Sequence, residues 1–238
     1  MNELLLIRHG ESEHHLSGDS GGWTNALLTG HGRAQALTTA QYLTQRYPFQ
    51  ASAIISSDLT RAADTAAIIA QALGLRLETH SALRELNNGV AAGLAEDAAE
   101  RLRNPFTEPA LDWVPFPGGE SWRAMYTRIS MFLSSLRAEG RDRVVLVSHG
   151  NALICVINWF LGLDTDENLR YLMYEIRPCS LTHLRLTSDR SRTVVRLNDT
   201  EHLCPVALQR AAMMALSGYQ ASGSVHSAAP TIRGGRVE

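Results

Sequence analysis

At 238 residues, with 24 acidic against 22 basic side chains and a formal net charge of −2, the chain is long enough to bury a full core and shows no basic excess for nucleic acid. No stretch approaches the roughly 20 apolar residues of a membrane span, and no charged, cleavable leader precedes the first apolar run. A cytoplasmic protein with neither nucleic-acid nor membrane partners is expected.

In chain order, Leu4-Leu5-Leu6-Ile7 predicts a buried strand over residues 3–7 that ends at Arg8-His9-Gly10. A Gly- and Ser-rich loop (17–22) leads to Trp23. Thr29 is placed to cap a helix running to about Arg46, which Pro48 ends. Residues 53–56 read as a short strand. Asp58 is expected to cap a helix reaching Leu73, with Gly74 as its terminator, and residues 75–79 form a third strand. The stretch 83–119 is less regular, with a short helix at 95–103 and then Pro105, Pro109, Pro115 and Pro117. A connection this long is usually functional, so a lid insertion is expected at about 86–119.

Residues 121–137 are amphipathic and helical. Val144-Val145-Leu146-Val147 predicts a fourth strand, ending at Ser148-His149-Gly150, followed by a helix at 152–161. Residues 180–186 and 193–197 pair as a hairpin on the sheet edge. A weak helix at 206–216 and a disordered stretch at 217–238 complete a C-terminal tail (205–238) after one domain (1–204). The alternation predicts an α/β three-layer sandwich: a mostly parallel central sheet with an antiparallel edge strand, and helices on both faces.

His9 and His149 each follow an apolar strand. In open α/β sheets ligands bind beyond the carboxyl ends of the strands, so the two imidazoles can face one pocket. The chain has no lysine, which excludes Schiff-base chemistry, pyridoxal phosphate attachment and a lysine-bearing P-loop. Any anion must then be held by arginine, histidine, backbone N–H groups or hydroxyls. Cys155, Cys179 and Cys204 lack metal-ligand spacing and read as reduced thiols. His14 and His15 read as loop histidines, and no metal site is expected from them with His9. Gly18-Asp19-Ser20-Gly21-Gly22 reproduces the nucleophile motif of trypsin-like serine proteases. There the serine comes last, after histidine and aspartate; here it stands at position 20, so a loop bordering the pocket is expected instead.

Six blocks together carry more weight than any one of them. These are Leu6-Ile7-Arg8-His9-Gly10-Glu11-Ser12, Leu28-Thr29-Gly30-His31-Gly32-Arg33-Ala34-Gln35-Ala36, Ser56-Ser57-Asp58-Leu59-Thr60-Arg61-Ala62, Leu83-Arg84-Glu85, Pro117-Gly118-Gly119-Glu120-Ser121 and Ser148-His149-Gly150-Asn151. In order and spacing, over residues 3 to about 203, they resemble the histidine phosphatase (phosphoglycerate mutase-like) superfamily, branch 1 type. The resemblance implies that His9 is a nucleophile that becomes phosphorylated. It implies that Arg8, Arg61 and His149 grip the phosphoryl group, and that Glu85 is proton donor to the leaving oxygen and then base for water. It places Ser12, His15, Gly22, Gly150 and Asn151 at the substrate, and implies neither metal nor cofactor. The family often has asparagine where His15 stands, so that contact is altered or lost. Arg61 and His149 are expected to line a pocket and not to fill a core.

Among the branches, phosphoglycerate mutases follow the glutamate with Arg and Tyr and a nearby Lys. Here Leu86-Asn87-Asn88-Gly89-Val90-Ala91-Ala92 follows, with no cation until Arg101, unless Arg101, Arg103 or Arg123 swings in. Asp19 also stands where the mutases carry arginine, although Asn151 matches them. The expectation is a metal-independent phosphatase acting on a small phosphomonoester. A cofactor-dependent phosphoglycerate mutase and a phospholigand-binding protein with little turnover are the alternatives. Oligomeric state stays open, a homodimer included.

Overall fold

The computed structural model describes residues 1–47, 49–205 and 213. Among these residues six strands form one sheet: β1 (Glu3–Arg8), β2 (Ala53–Ser56), β3 (Leu77–Thr79), β4 (Arg143–Ser148), β5 (Leu181–Leu186) and β6 (Arg192–Asp199), in the order β3-β2-β4-β1-β5-β6. Strands β1 to β4 pair in parallel, β5 runs antiparallel to β1, and β6 completes the edge hairpin. Among the described residues seven helices accompany them: α1 (Glu13–Ser17), α2 (Gly30–Gln45), α3 (Thr60–Leu73), α4 (Glu96–Glu100), α5 (Trp122–Ala138), α6 (Gly150–Leu161) and α7 (Asp166–Tyr171).

Alternate residues of the central strands feed two cores, as the period of two dictates. Leu4, Leu6, Ile55, Val144 and Leu146 pack with Met125, Ile129 and Leu133 of α5 and Leu153, Val156 and Phe160 of α6. Leu5, Ile7, Ile54, Val145 and Val147 pack on the opposite face with Ala40 and Leu43 of α2 and Ala66 and Ile69 of α3. This is the expected three-layer architecture.

The register of β1 on β4 is what assembles the site. Arg8 lies opposite Ser148, so the residues that follow, His9 and His149, leave adjacent parallel strands side by side. The His9 N–H donates to Ser148 O at 2.9 Å and continues the ladder by one residue.

Several local expectations need correction. Asp58 does not cap α3. Its carboxylate forms a bidentate pair with Arg84 at 2.7 and 2.6 Å, and the helix begins at Thr60 after Leu59. Strand β3 begins at Leu77 and not at 75, because the Leu75 N–H closes the end of α3 on Ala70 O at 3.0 Å. Helix α4 stops at Glu100 and α6 starts at Gly150, directly after His149. Helices α1 and α7 were not expected, although Thr165, which accepts from the Asn168 N–H, is an ordinary N-cap. The proposed insertion carries α4 and 3-10 turns at Gly89–Ala91 and Ala110–Asp112. It buries its own small cluster of Ala91, Ala99 and Phe116. The tail expected at 206–216 and 217–238 lies outside the described residues, Met213 excepted.

Candidate active site

His9 is 2% exposed and sits in a loop fixed from three sides. Thr65 Oγ1 of α3 accepts the Gly10 N–H at 3.1 Å, and Gln35 Oε1 of α2 accepts the Glu11 N–H at 2.8 Å. The start of α2 also lies close against this loop. A Cβ at Gly32 would stand 1.9 Å from Glu11 O, so only glycine fits there. His9 Nδ1 lies 2.7 Å from Gly10 O, a group that can only accept. The proton therefore resides on Nδ1, and Nε2 presents its lone pair.

Facing that lone pair is Arg61, 1% exposed, whose Nε–H donates to His9 Nε2 at 3.3 Å. Its remaining donors reach Thr24 O and Gly22 O at 2.8 Å each. Burial first, with Arg8 nearby, lowers the Arg61 guanidinium to about 10 against the pull of Glu85. It stays charged at neutral pH. Arg8, at the end of β1, donates to Ile176 O at 2.7 Å and from NH2 toward His15 Nε2 at 2.8 Å. The Ser12 N–H donates to His15 Nδ1 at 3.1 Å. A neutral imidazole has one acceptor nitrogen, so His15 can satisfy only one of these donors. Arg8 is thus weakly held there, and its buried Nε has no partner. An anionic oxygen is the acceptor such a fork is built for.

His149 is fully buried, its ring centroid 5.0 Å from that of His9. Its Nε2 lies 2.8 Å from Ser57 Oγ, while its Nδ1 has no partner. Glu85 reaches the same cavity, accepting from the Leu86 N–H at 2.9 Å and from the Asn151 N–H, in the first turn of α6, at 3.3 Å. Two residues without a role in the sequence reading hold its backbone. The Trp23 indole N–H donates to Glu85 O at 2.7 Å. Arg128 donates to Ala82 O, Arg84 O and Glu85 O, and pairs with Glu120. Trp23 was visible only as a lone aromatic after a glycine run, and Arg128 as one polar position of an amphipathic helix; neither pattern advertises these contacts.

The pocket bounded by Arg8, His9, Arg61, Glu85 and Asn151 has a volume of about 180 Å³. It combines two guanidiniums, a carboxyl group and an imidazole lone pair. Burial first, then His149, Arg61 and Arg8, push the His9 imidazole well below its ordinary range. His149 is lowered in the same way, by burial and then Arg61 and Arg8. Both rings are therefore neutral at pH 7, which suits a nucleophile.

The same burial has a cost in acid. His9, His149 and His202 (lowered to about 4, mainly by burial) are held neutral in the folded state. Below about pH 6.5 the unfolded chain binds protons that the folded chain refuses. Stability is therefore complete above that value and falls as pH drops, by about 1.4 kcal/mol per pH unit for each histidine. Urea melts at pH 7.5, 6.0 and 5.0 should show the midpoint falling steeply. A midpoint unchanged to pH 5 would contradict burial of the neutral rings.

A sequence model of the histidine phosphatase superfamily (branch 1) matches residues 4–200. The chain belongs to this superfamily. Among curated relatives, the probable phosphoglycerate mutase GpmB of Escherichia coli (O1:K1 / APEC) is 35% identical over 191 residues, covering 77% of this chain and 85% of the relative. Among solved structures, a mycobacterial glucosyl-3-phosphoglycerate phosphatase superposes with TM-score 0.68 at 25% identity, covering 84% of this chain and 99% of that one. The α-ribazole phosphatase of Shigella flexneri superposes with TM-score 0.69 at 21% identity (83% and 96%), a likeness of fold alone.

Within this histidine phosphatase, the expected site residues separate by position. Arg8, His9, Arg61, Glu85, Gly22 and Asn151 border the inner pocket, and the His149 ring lies 5.0 Å from that of His9 with its Nδ1 unpartnered. Gly22 contributes a backbone turn at φ 58° and the carbonyl that Arg61 grips. Gly150 opens α6 beside the Arg8 side chain, where a Cβ would meet nothing closer than 3.8 Å. Ser12 is fully buried, with its hydroxyl 3.0 Å from His14 Nδ1, so it braces α1 and does not face the cavity.

His14 and His15 are on α1 and not in a loop; with His9 their ligand atoms all lie within 4.8 Å of one another. A trio of this kind is of metal-binding type, contrary to what the spacing suggested. The Arg61 and Arg8 guanidiniums, however, point at nitrogens of His9 and His15 and repel a divalent cation there. Ser20 accepts from Asn88 Nδ2 at 2.8 Å, so its loop borders the cavity as expected. Buried Cys155 and Cys179 have thiols pushed upward by burial, the latter to about 12, and neither is a thiolate at neutral pH.

Proposed function

We propose that this protein hydrolyses a small phosphorylated metabolite in the cytoplasm, through a phosphohistidine on His9 and with no metal or cofactor in the cycle. The observation that carries the reading is the fixed tautomer of His9, with Nε2 presented between two guanidiniums and a carboxyl group. His9 Nε2 attacks phosphorus as the bond to the ester oxygen breaks. Glu85 is the acid of this step and gives a proton to the departing alcohol. Arg8, Arg61 and His149 Nδ1 donate to the phosphoryl oxygens as charge spreads over them. Water then attacks phosphorus, forming the new O–P bond as the bond to His9 Nε2 breaks. Glu85 takes its proton, inorganic phosphate leaves, and the His9 lone pair is restored. Membership of the superfamily and the phosphatases among its structural neighbours support this class of chemistry.

A mutase is the second reading, favoured by the similarity to the probable phosphoglycerate mutase. Against it, a chamber of about 580 Å³ adjoins the phosphate pocket and admits water to a phosphohistidine unless substrate fills it. The full chain, treated with chelator, should release phosphate from p-nitrophenyl phosphate at the untreated rate. It should isomerise phosphoglycerate weakly, with little stimulation by a bisphosphoglycerate primer. Activity lost in chelator and restored by a divalent ion would end the metal-free cycle. Efficient primer-dependent isomerisation with negligible phosphate release would make the chain a mutase. A stable phosphohistidine without turnover would make it a phospholigand-binding protein.

A further inference from the structure

The outer chamber shares Arg8, His14, Leu86 and Asn88 with the phosphate pocket, so the leaving group of a bound ester must occupy it. Its lining includes three carboxylates, Asp19, Glu96 and Glu100, and one guanidinium besides Arg8, that of Arg103. Arg103 does swing in, as the sequence left open, but it arrives with a counter-ion. Its Nε lies 2.7 Å from Glu100 Oε2, and its Cζ stands 4.8 Å over the Phe116 ring. The other two cations that could have reached the chamber are tied elsewhere. Arg101 pairs with Asp97 at 2.9 Å, and Arg123 bridges Asp112 and Asp166 at 2.7 and 2.8 Å.

Asp19 accepts from the Ser17 hydroxyl at 2.6 Å, and among the described residues neither Asp19 nor Glu96 has a cation within ion-pair distance. His14 and His15, lowered to about 3 and about 4 chiefly by burial, add no positive charge at neutral pH. Freeing Arg103 to hold a second anion would strip Glu100 of its partner, leaving the sum unchanged. Like charges set opposite one another are a means of rejecting a ligand. The chamber walls also offer carboxylate and amide oxygens to hydroxyl groups.

We propose that this chamber selects phosphomonoesters of uncharged or positively charged, hydroxylated alcohols and rejects a leaving group that carries a second anion. This rests on the phosphatase reading above and adds to it the substrate class. Glycerol 3-phosphate and 3-phosphoglycerate test it, because they share a three-carbon skeleton and differ by a hydroxymethyl against a carboxylate. The full chain should hydrolyse the first with kcat/KM higher by about tenfold or more. The ratio should narrow in Asp19→Asn/Glu96→Gln and at high salt, since the lining is partly exposed. Reading the ratio within one preparation cancels any loss of folded enzyme. Equal kcat/KM for the two esters, or a ratio indifferent to the double substitution, would overturn the inference while leaving the phosphatase in place. No phosphate released from either ester or from p-nitrophenyl phosphate would instead overturn the phosphatase reading itself.

Discussion

Replacement of His9 by alanine is expected to lower kcat/KM by about 10⁴-fold or more, because in the proposed cycle it removes the one atom that forms a bond to phosphorus. The neighbouring imidazoles cannot take over. The His149 ring is fully buried with Nε2 engaged by Ser57 Oγ, and the His14 ring centroid lies 5.9 Å from that of His9. Arg61 converges on His9 alone among the three. Enzyme mixed with a labelled phosphomonoester and quenched in base should carry a label that is stable to base and lost in acid. His14→Gln should retain that label and His9→Ala should lose it. Label recovered on His14 or Ser20, or undiminished in His9→Ala, would displace His9 as the nucleophile. Folding of His9→Ala is not expected to suffer greatly, since the imidazole's one backbone bond is to the adjacent Gly10 carbonyl.

Much of this was legible because strand ends in a parallel sheet are short-range signals with a long-range consequence. The apolar runs before His9 and His149 identify two buried strands, and the rule that ligands gather at carboxyl ends then brings the two histidines together. What stayed hidden was pairing that depends on the third dimension. Asp58 looks like a helix cap because it precedes α3, yet Arg84, 26 positions away, claims both of its oxygens. His14 and His15 look like loop residues because five residues of helix leave almost no periodicity to read. The spacing of Glu100 and Arg103 in the helix expected at 95–103 allows their pairing, but nothing in the order of residues shows that both face the chamber beside Asp19 and Glu96, which decides how it is charged. Arg61 and His149, expected to line a pocket and not to fill a core, are both buried, although Arg61 does border the inner pocket. His9, Arg61 and His149 are among the most buried polar residues of the chain.

That burial changes what Arg61→Ala should do. The loss of one guanidinium from the phosphoryl site should lower kcat/KM by about 10²-fold to 10³-fold, the scale of a missing oxyanion donor. The side chain also satisfies Gly22 O and Thr24 O, both at 2.8 Å, within a loop that lacks regular secondary structure. Leaving buried carbonyls without partners costs about 1–3 kcal/mol each, and for a chain of this size each kcal/mol lowers Tm by about 2–4 °C. Arg61→Ala should therefore melt about 5 °C or more below the parent, in contrast to a residue that merely faces solvent in a pocket. The two losses are separable. Calorimetry gives the melting shift, and kcat/KM measured well below the transition, on enzyme shown by circular dichroism to be folded, gives the catalytic one. Near-normal kcat/KM in the folded variant would remove Arg61 from the site whatever happens to Tm. An unshifted Tm would mean that the Gly22 and Thr24 carbonyls find other donors, and that the loop is not held by Arg61.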